Sequence, residues 1–341
     1  MAEYKAIRGH TIRTIAGDAS PLNIGDIWYN STLGKIRGAK RAAGSWASGG
    51  NLNQTRGSNW GFGASETSAL TSGGAHENPG GTPATQKTET YDGSSWTEVG
   101  DTNTGKQVAS GFGTQTSGIG AGGGDNEGSQ IAAVESWNGS AWTEVGDLNT
   151  LRGYAGGAGT TNTSGIVFGG YSTPPAANHD QSESWDGTSW TETHDLNVLH
   201  RSGGSSKHAP ATSTLFFGGD SGPAGAATTV IDICESYDGS SWTEVGDLST
   251  ARRAIMGGGT SNTLALAFGG QDGDHPSVTG KTETWDGTSW TELADMSGAR
   301  QWASSNGTAY NALVAGGETP GYFNTTEEWT QELAAVTFTS S

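Results

Sequence analysis

The sequence contains a single cysteine, Cys234, among its 341 residues, so no disulfide bond can form within the chain. It has no run of about 18 apolar residues, which excludes a hydrophobic membrane-spanning helix. The first residues, MAEYKAIRGHTIRTIAG, lack the long apolar core of a secretory signal peptide. We therefore expect a protein that is made and folds in a cytoplasm, without insertion into a membrane.

Basic residues are also scarce, because 17 Lys and Arg stand against 35 Asp and Glu and give a formal net charge of −18. This balance disfavours nucleic acid as a partner, since no basic stripe is available to neutralise phosphates. The charge is uneven: residues 1–41 carry +4, whereas the rest of the chain carries −22. We interpret the acidic body as a solvated surface that favours solubility, with cation binding as the alternative.

Hydrophobic residues make up only 32% of the chain, a share low enough to raise the question of disorder. Four markers that each recur six times, at a spacing near 48 residues, argue against it. The tryptophans are Trp46, Trp96, Trp142, Trp190, Trp242 and Trp290, and the Gly-Gly doublets lie at 73–74, 122–123, 169–170, 218–219, 269–270 and 316–317. The glutamates, each two residues before an aromatic, are Glu89, Glu135, Glu183, Glu235, Glu283 and Glu327, and the basic residues are Arg56, Lys106, Arg152, Arg201, Arg252 and Arg300.

Repeats of this length with internal turn signals are typical of propeller blades. One unit, residues 252–292, divides into four short strands, and its Asp286-Gly287 pair suits a tight hairpin turn. An apolar strand ending in Gly-Gly, followed by Glu, an aromatic, Asp and a spaced Trp, resembles the Kelch repeat family over roughly residues 44–330. The resemblance implies an all-β fold, a six-bladed Kelch-type β-propeller.

The two ends of the repeat region are incomplete in complementary ways. The copy around Trp46 lacks a preceding Gly-Gly strand, and the copy that ends at Trp329 lacks a following Asp-Gly-Trp phrase. We predict that the segment around Ala43–Ala47 forms the outer strand of the last blade, which removes two exposed sheet edges. The predicted organisation is an N-terminal anchoring segment with a short β-hairpin at 1–41, a propeller at 42–332 and a C-terminal tail at 333–341.

The N-terminal segment contains GDIWYNSTLGKIRG at 25–38, which indicates a small β-hairpin. It resembles short segments of bacteriophage tail-fibre and related structural proteins, and Gly/Thr/Ser-rich Kelch repeats strengthen that resemblance. The resemblance implies that Trp28, Tyr29, Lys35 and Arg37 anchor the chain to a virus particle. The alternative is that the hairpin only packs against the propeller.

No catalytic group stands out. The repeated tryptophans and glutamates suit architecture, and we expect the glutamates to form buried ion pairs with the basic markers or to cap backbone amides. Some Kelch propellers are copper-radical oxidases, but Cys234 lies in a strand where a small buried residue is expected, and the seven histidines are scattered. We therefore predict neither a catalytic site nor a metal centre nor a cofactor.

The loops after the Gly-Gly doublets vary while the strands hardly do, and function on a fixed scaffold tends to lie in such loops. Their acidic residues are the ligand-binding candidates: Asp125, Glu127, Asp220, Asp272 and Asp274. These side chains could bind Ca²⁺ weakly, or they could be ordinary solvated acids.

These features together favour a non-enzymatic phage virion structural protein, either a tail fibre, a tail appendage or a head-surface protein. Its expected partners are other virion proteins, bound through the N-terminal segment, and a host glycan or surface protein. We expect it to be oligomeric on the particle and located in the virion. Two alternatives stay open: a carbohydrate-active or oxidative enzyme on the same scaffold, and a cellular Kelch interaction module.

Overall fold

The computed structural model describes residues 12–76, 83–222, 229–273 and 277–338. Among these residues every regular element is a β-strand, so the prediction of an all-β fold is confirmed. This part of the chain contains no helix that is long and apolar enough to cross a membrane. The chain divides into two compact units, which we describe separately: Met1–Gly44 with Gln331–Ser341, and Ser45–Thr330.

The strands in chain order begin with β1 (Arg13–Ile15), β2 (Ile27–Asn30), β3 (Lys35–Arg41), β4 (Ser45–Ser48), β5 (Trp60–Ser65), β6 (Ser68–Ser72), β7 (Thr88–Tyr91), β8 (Trp96–Glu98), β9 (Ser110–Thr114), β10 (Ser117–Ala121), β11 (Val134–Trp137) and β12 (Trp142–Glu144). They continue with β13 (Gly156–Thr161), β14 (Ser164–Phe168), β15 (Tyr171–Ser172), β16 (Ala177–Asn178), β17 (Ser182–Trp185), β18 (Trp190–Glu192), β19 (His200–Arg201), β20 (Gly204–Ser205), β21 (Thr214–Ser221), β22 (Thr229–Tyr237) and β23 (Trp242–Val245). The last are β24 (Arg252–Arg253), β25 (Met256–Ser261), β26 (Leu264–Phe268), β27 (Gln271–Asp272), β28 (Ser277–Val278), β29 (Thr282–Trp285), β30 (Trp290–Glu292), β31 (Ser304–Gly307), β32 (Asn311–Ala315), β33 (Thr326–Thr330) and β34 (Leu333–Thr337).

The first unit is a four-stranded sheet in the order β1-β2-β3-β34. β2 and β3 form an antiparallel hairpin in which Trp28 lies opposite Arg37. The C-terminal strand β34 pairs antiparallel with β3, with Val336 opposite Gly38. The segment predicted as a tail over 333–341 therefore contributes a strand to this sheet through residues 333–337.

The second unit consists mainly of small antiparallel sheets that repeat one pattern. We number them by position along the chain: sheet 1 is β5-β6-β7-β8, sheet 2 is β9-β10-β11-β12, sheet 3 is β13-β14-β17-β18, sheet 4 is built from β19 to β23, sheet 5 is β25-β26-β29-β30, and sheet 6 is β31-β32-β33-β4. Two-residue strands add a β15-β16 pair and a β24-β27-β28 sheet. This series of small sheets is consistent with a β-propeller.

The repeated Asp-Gly and Asn-Gly pairs lie in the hairpin turns. In sheet 1 the carboxylate of Asp92 accepts hydrogen bonds from the backbone N–H groups of Ser95 and Ser94. These bonds lower the pKa of Asp92 to about 2. Gly93 has a φ of +93°, a conformation that glycine adopts without strain. The short polar turn thus places Tyr91 of β7 directly opposite Trp96 of β8.

The core lies between neighbouring sheets. The innermost strands β5, β9, β13, β20, β25 and β31 pack side by side in this order, and β31 in turn packs against β5. The repeated tryptophans reach the preceding sheet: Trp142 packs on Phe62 and Trp242 packs on Phe168, with ring centroids 6.0 Å and 4.8 Å apart. Trp96 of sheet 1 donates from Nε1 to Thr326 Oγ1 of sheet 6 at 2.9 Å, which links the last sheet to the first.

Sheet 6 is assembled from both ends of the repeat region. β4 pairs antiparallel with β33, and Trp46 lies opposite Trp329. The strand covers Ser45–Ser48, whereas the predicted segment was that around Ala43–Ala47. The outer edge of β33 is thereby covered by residues that precede sheet 1 in the chain.

Candidate functional site

A buried ion pair recurs in five of the six sheets. The pairs are Arg56–Glu89, Lys106–Glu135, Arg152–Glu183, Arg252–Glu283 and Arg300–Glu327, with N–O distances between 2.5 and 3.3 Å. In sheet 3, Arg152 also donates to the carbonyl oxygens of Gly169 and Gln181, and Glu183 accepts from the backbone N–H of Asn149. Burial lowers the pKa of Arg152, and the charge of Glu183 opposes that shift. These repeated residues join strands and connections of the framework.

Sheet 4 departs from this pattern, and the assignment of Arg201 as its basic marker is wrong. The buried position belongs to His200, whose Nε2 lies 3.7 Å from Glu235 Oε1. The ring of Phe216 packs on His200 at a centroid distance of 4.1 Å. The residues that occupy the position of Phe216 in the other sheets, each opposite the repeated glutamate, are smaller: Thr71, Gly120, Val167, Ala267 and Val314. The large Phe216 ring takes up space that an arginine would need, so the shorter histidine replaces it.

Burial governs the titration of this exceptional pair. It lowers the pKa of His200 to about 4, so the imidazole is neutral at pH 7. Burial also raises the pKa of Glu235, whose carboxylate accepts hydrogen bonds from the backbone of Asn197 and Val198. Sheet 4 therefore lacks the buried cation of the other sheets. Arg201 contacts Asp220 instead of Glu235.

We expect His200→Arg to lower the melting temperature, because the longer side chain would overlap Phe216, and overpacking costs about 1–3 kcal/mol. The double variant with Phe216→Val should recover most of this loss, since Arg152 occupies the same position beside Val167 in sheet 3. A double-mutant cycle of urea unfolding should give a coupling free energy of about 1–3 kcal/mol. Additive single effects would contradict the steric explanation.

One end of the second unit is formed by three equivalent positions in each sheet. The residue after the buried base forms an antiparallel bridge with the residue after Gly-Gly: Gly57 with Ala75, Gln107 with Gly124, Gly153 with Tyr171, Arg201 with Asp220, Arg253 with Gln271, and Gln301 with Glu318. The next residue has a positive φ of 50–62° although it is not glycine: Ser58, Val108, Tyr154, Ser202, Ala254 and Trp302. We call this set of positions the central face. Its backbone geometry repeats, whereas no two sheets have the same combination of side chains at these three positions.

A pocket of about 460 Å³ opens on the central face. Its lining residues come from sheets 3 to 6 and from the loop after the Gly-Gly of sheet 2: Gly128, Gln130, Tyr154, Tyr171, Thr173, Arg201, Ser202, Asp220, Arg253, Gln271, Gln301 and Trp302. Its volume falls within the range of small-molecule sites, about 300–1,000 Å³. Large polar and aromatic side chains thus converge here, and sheet 1 contributes none of the described lining residues.

The charged side of the pocket is an Arg-Asp-Arg group. Arg253 Nη1 lies 3.1 Å from Asp220 Oδ1, and its Nε donates to Gln271 Oε1 at 2.8 Å. Arg201 Nε lies 4.0 Å from Asp220 Oδ2, and its guanidinium lies over the ring of Tyr171 at 4.3 Å. Asp220 is almost completely buried, whereas both guanidinium groups keep part of their surface exposed. The cations, rather than the acid, are therefore available to a ligand.

The opposite side of the pocket is aromatic. The rings of Tyr154 and Trp302 meet edge to face with centroids 5.2 Å apart, and both side chains are partly exposed. Gln130 and Gln301 lie beside them, and their Oε1 atoms are buried without a hydrogen-bond partner in the structure. A buried polar atom without a partner is costly unless something binds it. The pocket thus combines an aromatic surface, free acceptors and two cations.

A smaller cavity of about 70 Å³, which we call the channel, adjoins the pocket. Tyr154, Ser202 and Trp302 border both spaces. Lys207 lines the channel, and burial lowers its pKa to about 8. Its ammonium group forms no ion pair with a carboxylate among the described residues.

The acidic loop candidates do not come together. Asp125 caps its own turn by accepting from the N–H groups of Glu127 and Ser129, and with Glu127 it borders a separate groove of about 420 Å³. Asp220 is buried in β21, Asp272 lies 3.9 Å from Lys281, and Asp274 lies outside the described residues. No group of three or more His, Cys, Asp or Glu that could hold a metal ion occurs in the described ranges.

The anchoring candidates differ in exposure. Trp28 is buried, whereas Tyr29 and Lys35 are exposed on the hairpin. Arg37 pairs with Asp18 at 3.1 Å and donates to the carbonyl oxygen of Ala335. Tyr29 and Lys35 are thus the members of this group with most surface available for contacts.

The sequence analysis missed the pocket, although a signal was present. Nine of the twelve pocket residues stand one or two positions after the repeated buried base or directly after Gly-Gly, where the six copies vary. No protein-family model matches the chain, and no curated protein matches it.

Proposed function

We propose that the second unit is a six-bladed Kelch-type β-propeller in which each of sheets 1 to 6 is one blade. The cyclic packing of the innermost strands supports this, since β31 returns to β5. Backbone hydrogen bonds also run between positive-φ residues of successive sheets, from Val108 N to Ser58 O and from Tyr154 N to Val108 O. The strand β4 then closes the last blade.

We further propose that this protein is a non-enzymatic component of a phage virion, which uses the propeller to bind a glycan on the host surface. The hairpin motif and the Kelch-like repeats support the virion assignment through their resemblance to phage structural proteins. Other virion proteins are the proposed partners of the first unit. Labelling of purified particles with antibody against this chain, followed by negative-stain imaging, tests this assignment and separates a head position from a tail position.

The binding proposal rests on the pocket of the central face. Six copies of one framework explain the repeated residues, but they do not explain why non-repeated Tyr154, Trp302, Arg201 and Gln301 converge. A concave site with aromatic rings and a few polar groups suits a sugar, whose ring has both apolar and hydroxyl surfaces. The pocket carboxylate of Asp220 is held by Arg253, so it contributes to charge balance rather than to bond cleavage.

We expect the purified protein to bind a subset of glycans on an array, and Trp302→Ala to weaken this binding about tenfold or more, as loss of a central aromatic contact does. Phe323→Ala is the matched control, because Phe323 is a partly buried aromatic residue near Arg300 that does not line the pocket. Both variants should keep their melting temperature within a few degrees. Glycan binding that survives Trp302→Ala unchanged would contradict the assignment of the pocket.

A further inference from the structure

Most basic residues of the second unit, seven of ten, form ion pairs outside the pocket. Five of these form the buried pairs with the repeated glutamates. Lys87 lies at the surface 2.6 Å from Glu98, and Lys281 lies 3.9 Å from Asp272. The three that remain are Arg201, Lys207 and Arg253.

These three cations all lie at the pocket or in the channel that adjoins it. Arg201 and Arg253 line the pocket, and Lys207 lines the channel. In a chain with a formal net charge of −18, this concentration of otherwise uncommitted positive charge at one place needs an explanation. A structural role would require matching acids, as the buried pairs of the framework show.

The acids that face these cations do not neutralise them. Among the described residues that line the pocket, Asp220 is the one carboxylate, and it stands between two guanidinium groups. Glu318 belongs to the central face but does not line the pocket, and burial raises its pKa. Among the described residues, the pocket lining thus has two guanidinium groups and one carboxylate, an excess of positive charge that attracts anions.

We propose that the ligand of this pocket is a sugar residue that carries a carboxylate, with the carboxylate bound by Arg253 and Arg201. Guanidinium groups suit a planar carboxylate because they can donate two parallel hydrogen bonds. The sugar ring would lie on Trp302 and Tyr154. This inference rests on the proposed function, since it names the chemical class of glycan for the same site.

The uncharged groups of the pocket favour an acidic sugar over an acidic peptide. The Oε1 atoms of Gln130 and Gln301 are acceptors without a partner among the described residues, and hydroxyl groups around a sugar ring can donate to both. A pocket volume of about 460 Å³ suits one or two sugar rings better than an extended peptide segment. Charge, acceptors and aromatic rings thus point to one ligand type.

The test compares trigalacturonic acid with galactotriose, which differ in the C6 carboxylate, by titration calorimetry on the full chain. We expect at least about tenfold tighter binding of the acidic sugar, as charge-assisted hydrogen bonds provide. The advantage should shrink as NaCl is raised from about 50 to about 500 mM. Arg253→Gln should remove it, and Arg201→Gln, whose contact with Asp220 is longer, serves as a second variant if the first does not fold.

Lys87→Gln is the matched control, because it removes the same charge from an exposed ion pair outside the pocket, and it should keep the advantage. Equal affinity for both trisaccharides, lost in Trp302→Ala, would overturn this inference and leave the proposed function standing. Binding of neither trisaccharide, together with a blank glycan array, would refute the proposed function itself. Tighter binding of hexaglutamate than of trigalacturonic acid would show that the cations recognise a protein partner, and this would also overturn the inference.

Discussion

Replacing Arg152 by leucine should lower the free energy of unfolding by about 3–5 kcal/mol, the cost of breaking a buried ion pair by removal of one partner. Leucine keeps most of the aliphatic volume but leaves the carboxylate of Glu183 buried without its cation. The carbonyl oxygens of Gly169 and Gln181 lose their donor at the same time. Urea unfolding followed by tryptophan fluorescence measures this change, and the tryptophans between the sheets make the signal large.

The control for this experiment is Lys87→Leu, which removes the cation from an exposed pair with Glu98. Exposed ion pairs contribute only about 0–1 kcal/mol, so this variant should unfold within about 1 kcal/mol of the parent. If both variants lower the free energy of unfolding equally, the buried pairs do not stabilise the framework more than an exposed pair does. Their recurrence in five sheets would then need another cause. A loss confined to Arg152→Leu supports a structural role for all five pairs.

The framework could be predicted because each of its markers is repeated. Six spaced tryptophans and Gly-Gly doublets reveal strands and turns that a single copy would not reveal. The closing strand was predictable for the same reason, since Trp46 lacks strands before it and Trp329 lacks one after it. Its register also follows the repeat, because Trp46 lies opposite Trp329 just as Trp96 lies opposite Tyr91 in sheet 1.

Sheet 4 shows where sequence reasoning fails. His200 and Arg201 are adjacent and both can be basic, and Arg201 was chosen for its charge although the other five bases follow the repeated tryptophan by ten residues, as His200 does. The choice depends on Phe216, whose position opposite Glu235 becomes clear only once β21 and β22 are paired. Asp220 was assigned to a loop because it follows Gly-Gly, but β21 continues through the doublet and pairs with the β-branched Val230 and Ile231.

The pocket could not be predicted because its residues come from different sheets. Tyr154 and Trp302 are 148 positions apart in the sequence, yet their rings are in contact. Each occupies a position where the repeat tolerates any side chain, so neither attracts attention alone. Once the repeat is aligned, the variable positions beside fixed markers are the ones to inspect for function.

Replacing Trp46 by alanine should have the largest effect on the closing strand. The indole packs on Phe268 and Trp329, with centroids 5.0 and 5.5 Å apart, and Nε1 donates to Thr282 Oγ1 at 3.0 Å. Loss of these contacts should cost about 3 kcal/mol, towards the lower end of large-to-alanine substitutions because the side chain is partly exposed. It should also release β4 from β33, since the remaining side chains of β4 are small.

Hydrogen exchange distinguishes this release from general destabilisation. In Trp46→Ala, backbone amides of β33 that are bonded to β4 should exchange faster by local opening, well before the rest of the second unit. Trp190→Ala removes an equivalent tryptophan from sheet 3 and should cost similar stability without selective exchange in β33. Because β33 has β32 on its other side, selective exposure of the amides that face β4 requires that β4 has left the sheet. Equal exchange in β33 of both variants would mean that the closing strand is held by something other than its tryptophan.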